Sequence, residues 1–306
     1  VAIMTYMDGD LKHSSRGRLP IIKKIHNNNT LAFLVSARVM KLLLCVHNAG
    51  YEYTDLKLEN LLYMCYIEDE IAISLGDLGS LLPINPDGSK RDGYTGKEYV
   101  TDRSIEYNDS SINYSSFVVH MYGLMILQFY NLIDYTNANL EGDSARILYT
   151  LTPSEAVRPR RQAIVGSDAN YRTTQLALIW SGDGITVHNQ WDIINNAAAP
   201  GVGPDSAERR LYYQYMSHVV QTIILPALDA KKNGTNNFQI EFIKRLVIGI
   251  FKPPDQRFTL LQIDTIFTNY TNYTNYTCNQ YNSDPDRCEE SEVCFYDDDI
   301  EECQSV

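Results

Sequence analysis

No stretch of the sequence reaches the roughly 18 consecutive apolar residues that a membrane-spanning helix needs. Nor does the chain open on the basic, apolar and small-residue pattern of a secretory signal. Both absences point to a cytoplasmic protein without a membrane partner. Basic residues are scarce: 26 Lys and Arg stand against 38 Asp and Glu, for a formal charge of -12. Ten of those acidic residues and a single Arg lie between Cys278 and Val306, a local balance of -9, so the rest is near neutral. Sequence-independent nucleic-acid binding relies on clustered Lys and Arg, so no nucleic-acid partner is expected. The chain also lacks C-x-x-C knuckles. Cys278, Cys288, Cys294 and Cys303 are spaced by ten, six and nine residues, which excludes a zinc module of the usual kind. In an oxidising compartment these four would form two disulfides, with three pairings open, and in a reducing one they would be thiols. Cys45 and Cys65 fall in apolar segments and read as small core residues.

What is present is a chain of 306 residues, 44% hydrophobic, long enough for one large domain or two ordinary ones. Its sharpest chemical signal is Tyr51 to Asn60, Y-E-Y-T-D-L-K-L-E-N, followed by G-D-L-G at Gly76 to Gly79. Asp55 can orient a hydroxyl and accept its proton, and Lys57 can balance phosphate charge. Asn60 and Asp77 offer hard oxygen ligands suited to magnesium. Between them, Leu61 to Ile67 and Ile71 to Leu75 read as two strands around an acidic turn. A hairpin of that kind returns Asp77 to the edge that carries Asn60.

Apolar residues at Leu31, Leu34, Val35, Val39, Leu42, Leu43 and Val46 predict a core helix, capped by Thr30 and ended at Gly50. His47 at its end has no metal-spaced partner and reads as a structural or surface histidine. Asn113 to Tyr130 is apolar on nearly every side, which predicts a helix in the middle of the fold. Glu208 to Leu225 and Phe238 to Phe251 read as amphipathic helices, Asn195 to Asp205 as a loop, and Pro253 to Thr259 as the start of a last helix through Phe267. Arg158, Arg160 and Arg161 form a basic cluster, either a solvated face or a site for an acidic partner. Asn-Tyr-Thr occurs three times from Asn269 to Thr277. It reads as a low-complexity linker, since its glycosylation reading requires secretion.

The D-x-K-x-x-N spacing followed by a D-x-G turn resembles the catalytic and metal-binding loops of protein kinases. The resemblance runs from Val1 to Phe267 and implies an α+β fold, the mainly helical large (C-terminal) lobe with short β-hairpins. Residues 1–12 would be the hinge, 13–267 the lobe with a long insertion at about 131–225, 268–277 a linker and 278–306 an acidic tail. It implies Met4, Thr5 and Met7 beside adenine, Asp10 near the ribose, Leu62 beneath the adenine ring, and Asn60 and Asp77 on magnesium. Glu106 in S-I-E and Arg257 in P-P-D-Q-R-F-T match the family's buried structural ion pair. Tyr94 and Thr95 lie where the family's activation segment is phosphorylated, but Thr54 replaces the Arg that docks such a phosphate. Tyr53 replaces the usual His, and Val118 an Asp that ties the central helix, where Gly123 matches the family's Gly, to the catalytic loop.

No Gly-rich loop, strand Lys or partner Glu of a small lobe is found in this chain. The resemblance therefore implies a small lobe encoded upstream of Val1 or supplied by a separate segment. Two functions follow as expectations. One is ATP- and Mg-dependent phosphoryl transfer to Ser or Thr of a protein substrate, favoured over Tyr by Lys57. The other is an inactive kinase-like scaffold that binds an assembly partner. The Asn- and Tyr-rich composition resembles kinase-like proteins of large DNA viruses, which adds the virion as a second location.

Overall fold

The computed structural model describes residues 7–13, 20–67, 70–93, 104–108, 112–135, 179–180, 188–233, 237–279, 294–297 and 302–305. The architecture is α+β: helices surround one buried core, and small antiparallel sheets line its edge. Helix α1 is Ile21–His26 and α2 is Asn29–Asn48. The buried side of α2 carries Leu31, Val35, Val39, Leu43 and Leu44, the three- and four-residue steps that form one helical stripe. Asn28, rather than Thr30, caps it: the Asn28 side chain accepts a hydrogen bond from the Leu31 amide at 3.0 Å. After α2 the chain turns at Gly50, whose φ of 83° lies in the left-handed region that glycine adopts without a Cβ penalty. Cys45 is exposed on this helix, not in the core as its apolar neighbours suggested, because it falls off the stripe.

Helix α3, Tyr114–Phe129, is buried on nearly every side, consistent with its lack of a polar face. Asn113 caps it through the Ser116 amide. Gly123 permits its closest approach to a neighbour, since a Cβ there would collide with Ile250 and crowd Phe251. The Tyr122 hydroxyl donates to the Ser36 carbonyl at 2.9 Å and so links α3 to α2.

Strands β1 (Gly9–Asp10), β3 (Leu61–Ile67) and β4 (Glu70–Leu75) form an antiparallel sheet in the order β1-β3-β4. Gly9 and Asp10 thus pair as strand against Tyr63 and Leu62. The β3–β4 register sets Leu61 opposite Leu75 and Leu62 opposite Ser74. Strand β2 (Tyr51–Tyr53) pairs with β5 (Leu81–Pro83), Tyr53 opposite Leu81. Further along lie β6 (Ile179–Trp180) and β7 (His188–Asn189), then α4 (Gln190–Ala197).

Helix α5, Ala207–Val219, runs through a π turn at Val220–Ile224 into α6, Leu225–Asp229. Apolar periodicity had suggested one regular helix here. Pro226 has no amide hydrogen to donate, and the Leu225 amide instead reaches back five residues to the Val220 carbonyl. Helix α7 is Asn237–Ile250 and α8 is Leu260–Asn279. Thr259 and Gln262 bond each other's backbone amides across the first turn of α8, a reciprocal cap. The last helix continues well past Phe267 and through the Asn-Tyr-Thr run, where a linker was expected. Asn and Thr are mediocre helix formers, but Tyr270 packs into an aromatic nest with Phe33, Phe238 and Phe242, at ring distances of 4.9, 5.2 and 4.8 Å. Packing of this kind overrides propensity. Strands β8 (Cys294–Asp297) and β9 (Glu302–Ser305) form a final hairpin in the acidic tail.

Candidate active site

The site is assembled where β2, the loop after it and the β3–β4 hairpin meet. Asp55 lies two residues beyond β2, after Thr54, and residues Leu58–Asn60 form a 3-10 turn leading into β3. That turn folds Asn60 back on Asp55: its Nδ2 donates to the Asp55 carbonyl at 2.9 Å and to Asp55 Oδ2 at 3.0 Å. Lys57 Nζ reaches the same Oδ2 at 2.5 Å. Asp55 and Asn60 are buried, while Lys57 is half-exposed. A carboxylate with one oxygen held by a cation and an amide keeps the other available to a hydroxyl.

The hairpin returns the chain to this point. The Gly76 amide donates to the Asn60 carbonyl at 2.8 Å, so Asp77 begins its turn beside Asn60. Asp77 adopts φ 44° and ψ 62°, a left-handed conformation that a short polar side chain tolerates better than most but at a cost in strain. Gly79 leaves room for it, since a Cβ there would sit 3.3 Å from Asp77 Oδ1. The Ser80 amide donates back to the Asp77 carbonyl at 3.1 Å.

Tyr53 closes the arrangement from beneath. Its ring is fully buried and its hydroxyl donates to the Gly76 carbonyl at 2.5 Å. Burial first, then the Asp55 and Asp77 carboxylates, push this hydroxyl far above the ordinary phenol range, so it remains a donor. One residue on, the Thr54 hydroxyl donates to the Ser80 carbonyl at 3.2 Å, which ties the loop to the end of the turn. On the other side Glu52 is fully buried and takes a 2.7 Å hydrogen bond with His47 Nδ1. That bond raises the His47 pKa above its ordinary value and makes it a structural partner of β2.

Of the residues that the kinase resemblance assigns to nucleotide, Met7, Asp10 and Leu62 fall among the described residues, in or next to this sheet. Met4 and Thr5 lie outside the described residues, as do Tyr94, Thr95 and the Arg158 to Arg161 cluster. Met7 is half-buried just before β1. Asp10 is paired with Leu62 across the sheet, but its Oδ1 caps the following turn by accepting from the Lys12 and His13 amides at 3.0 and 2.8 Å. Lys12 in turn forms a 2.5 Å ion pair with Glu59, joining β1 to the loop. Leu62 lies under the Gly76 backbone, where an added Cβ would meet it at 3.2 Å.

Asn60 and Asp77 fit a magnesium ion by donor chemistry. The Asn60 amide spends its NH2 on Asp55, which leaves a carbonyl oxygen, and Asp77 adds a carboxylate. Two hard oxygens from the protein are what magnesium takes when phosphates and waters complete its shell. Among the described residues no group of three or more His, Cys, Asp and Glu gathers for a metal, so any ion here would rest on this pair.

A second polar cluster is buried around Glu106 and Arg257. Arg257 Nη2 and Nη1 donate to Glu106 Oε1 and Oε2 at 2.6 and 3.1 Å, and the Tyr213 hydroxyl donates to Oε1 at 2.6 Å. Arg257 also bonds the Ser116 and Lys252 carbonyls. Burial alone would raise the Glu106 pKa, but the Arg257 and Tyr213 donors hold it at about 2. Beside it His120 pairs with the Ser104 hydroxyl at 2.8 Å, and burial lowers its pKa to about 3, leaving it neutral. Tyr213, His120 and Ser104 were not anticipated, because their partners are distant in sequence. A cleft of about 730 Å³ opens over this region, lined by Arg210, Tyr213, Gln214, Val220, Phe251 and Lys252 among others. Asp55, Asn60 and Asp77 are not among the residues that line it.

No protein-family model matches the chain, and no curated protein matches it in sequence.

Proposed function

We propose that the chain is the large lobe of a Ser/Thr protein kinase-like enzyme that transfers phosphoryl groups from ATP to a protein hydroxyl. The observation that carries this reading is the convergence of Asp55, Lys57, Asn60 and a left-handed Asp77 on one sheet edge, across two separate motifs. Asp55 accepts the proton of the incoming hydroxyl and holds it in line. Lys57 stays beside Asp55 and offsets charge on the transferred group. Asn60 and Asp77 would hold magnesium, which when bound would offset the phosphate charge of ATP. The Glu106–Arg257 pair is a structural tie below the site. A small lobe from an upstream or separate segment would cover the nucleotide, and Leu78, 61% exposed beside Asp77, is an apolar contact suited to such a cover.

The test is magnesium-dependent transfer from ATP to a generic Ser/Thr substrate by the protein together with its small lobe, compared with Asp55→Asn. Transfer lost in the variant supports the reading; equal background rates in both overturn it. The second reading is a scaffold, cytoplasmic or in a virion, that binds an assembly partner without turnover. Thr54 favours it: its hydroxyl is committed to the Ser80 carbonyl, so this position offers no cation to an activating phosphate. ATP binding without transfer would select that reading.

A further inference from the structure

We infer that Tyr53 is a positioning residue that holds the Asp77 carboxylate in place by pinning the peptide unit between Gly76 and Asp77. This rests on the phosphoryl-transfer reading for its consequence, but its geometry stands by itself. A peptide plane rotates by changing ψ of the residue before it and φ of the residue after it together. The Gly76 carbonyl belongs to the plane whose rotation sets φ of Asp77, and the Tyr53 hydroxyl grips that oxygen at 2.5 Å. The preceding plane is fixed as well, because the Gly76 amide donates to the Asn60 carbonyl at 2.8 Å. Leu62 packs against the Gly76 Cα from the sheet side and blocks displacement of the turn in that direction. With both planes held, Asp77 is left at φ 44°.

Release of the carbonyl would let the plane flip and Asp77 relax to negative φ, which redirects its side chain. The tie is stiff at its origin: Tyr53 is in β2, paired with Leu81 just beyond the turn, and its ring is fully buried. The same strand pair therefore holds both ends of the segment from Gly76 to Leu81. A residue that merely filled space would need no oxygen partner at this carbonyl.

The test is Tyr53→Phe, which keeps the ring and removes the hydroxyl, studied in the full chain. The melting temperature should fall by only about 2–4 °C, the size of one hydrogen bond in a chain of this length. Amide exchange at Gly76 and Ser80 should become about tenfold faster, with α2 amides unchanged. In the active assembly, the magnesium concentration for half-maximal rate should rise about tenfold, and excess magnesium should restore most of kcat. Unchanged exchange at Gly76 and Ser80 would overturn the inference, whatever happens to activity. Faster exchange in a protein that transfers no phosphate would uphold the positioning role and defeat the phosphoryl-transfer reading.

Discussion

The two polar clusters of this molecule are built in opposite ways. At the corner of the β3–β4 hairpin, Asp55, Lys57 and Asn60 are within six residues of one another, and Asp77 is brought in by strands that pair in register from Leu61 opposite Leu75 to Cys65 opposite Ile71. In the buried bridge, Glu106 meets an arginine 151 residues away and a tyrosine 107 residues away, all shielded from water. At the corner the Lys57 side chain remains 28% exposed, and its bond and that of Asn60 both fall on one Asp55 oxygen, Oδ2. At the bridge nearly every valence is spent inside the protein. The difference separates a cluster made by short-range turns from one made by long-range burial, and each can be broken without the other.

The largest expected contrast comes from Asp55→Asn. On the proposed phosphoryl-transfer reading, loss of this base should lower transfer by about 10²–10⁴-fold, while the melting temperature should stay close to that of the parent, read by initial rates and thermal unfolding. The reverse pattern is expected at the bridge. Arg257→Met leaves Glu106 buried and unpaired and should cost roughly 3–5 kcal/mol in urea unfolding. Adding Glu106→Gln should restore part of that loss, because the stranded charge is then removed.

Acid sharpens the comparison from the bridge side. His120 has its pKa lowered by burial to about 3, and His26, also mainly by burial, to about 4. Each is protonated near pH 6.5 when unfolded but resists protonation when folded, so the unfolded state gains protons first and stability falls as pH drops below about 6.5. The loss should reach on the order of 3 kcal/mol per histidine by pH 4. Glu106 acts in the same direction at lower pH: its contribution is present above about 4.5 and disappears as pH falls toward 2. Urea midpoints from pH 7 to 4 would check the slope, and His120→Gln should flatten it.

The smallest pair of effects compares glycines. Gly123→Ala pushes a methyl into Ile250 in the core and should cost about 1–3 kcal/mol. At Gly76 the added methyl meets only the Leu62 side chain, at 3.2–3.4 Å, and about 1 kcal/mol or less is expected. Equal losses in chemical denaturation would mean that the corner is as tightly packed as the core.

The corner was the more legible region in sequence, and for the same reason that it is locally built. Short spacings such as Asp55 to Asn60, and a hairpin read from two apolar runs, need only turn and strand geometry. Helices α2, α3 and α7 were likewise readable from apolar periodicity. What escaped was decided by groups far apart in the chain. The Tyr213 hydroxyl on Glu106 and the Ser104 contact of His120 have no local pattern. Glu106 and Arg257 were paired through the kinase resemblance and not through spacing. Local chemistry also misled in places: Asn28 outcompeted Thr30 as a cap, and Tyr270 drew a presumed linker into a helix by packing on Phe33 and Phe242.

The π turn at Val220–Ile224 carries a consequence for register. A π turn places one extra residue in the helix, and each residue of a regular helix advances the face by about 100°. Every side chain after it is thus out of phase with those before it, and Leu228 points into the core only because of that offset. Removing one residue between Val220 and Ile224 would regularise the helix and turn Leu228 toward water. The segment behaves as a phase shifter, and its length in residues is fixed more strictly than the identity of any one of them.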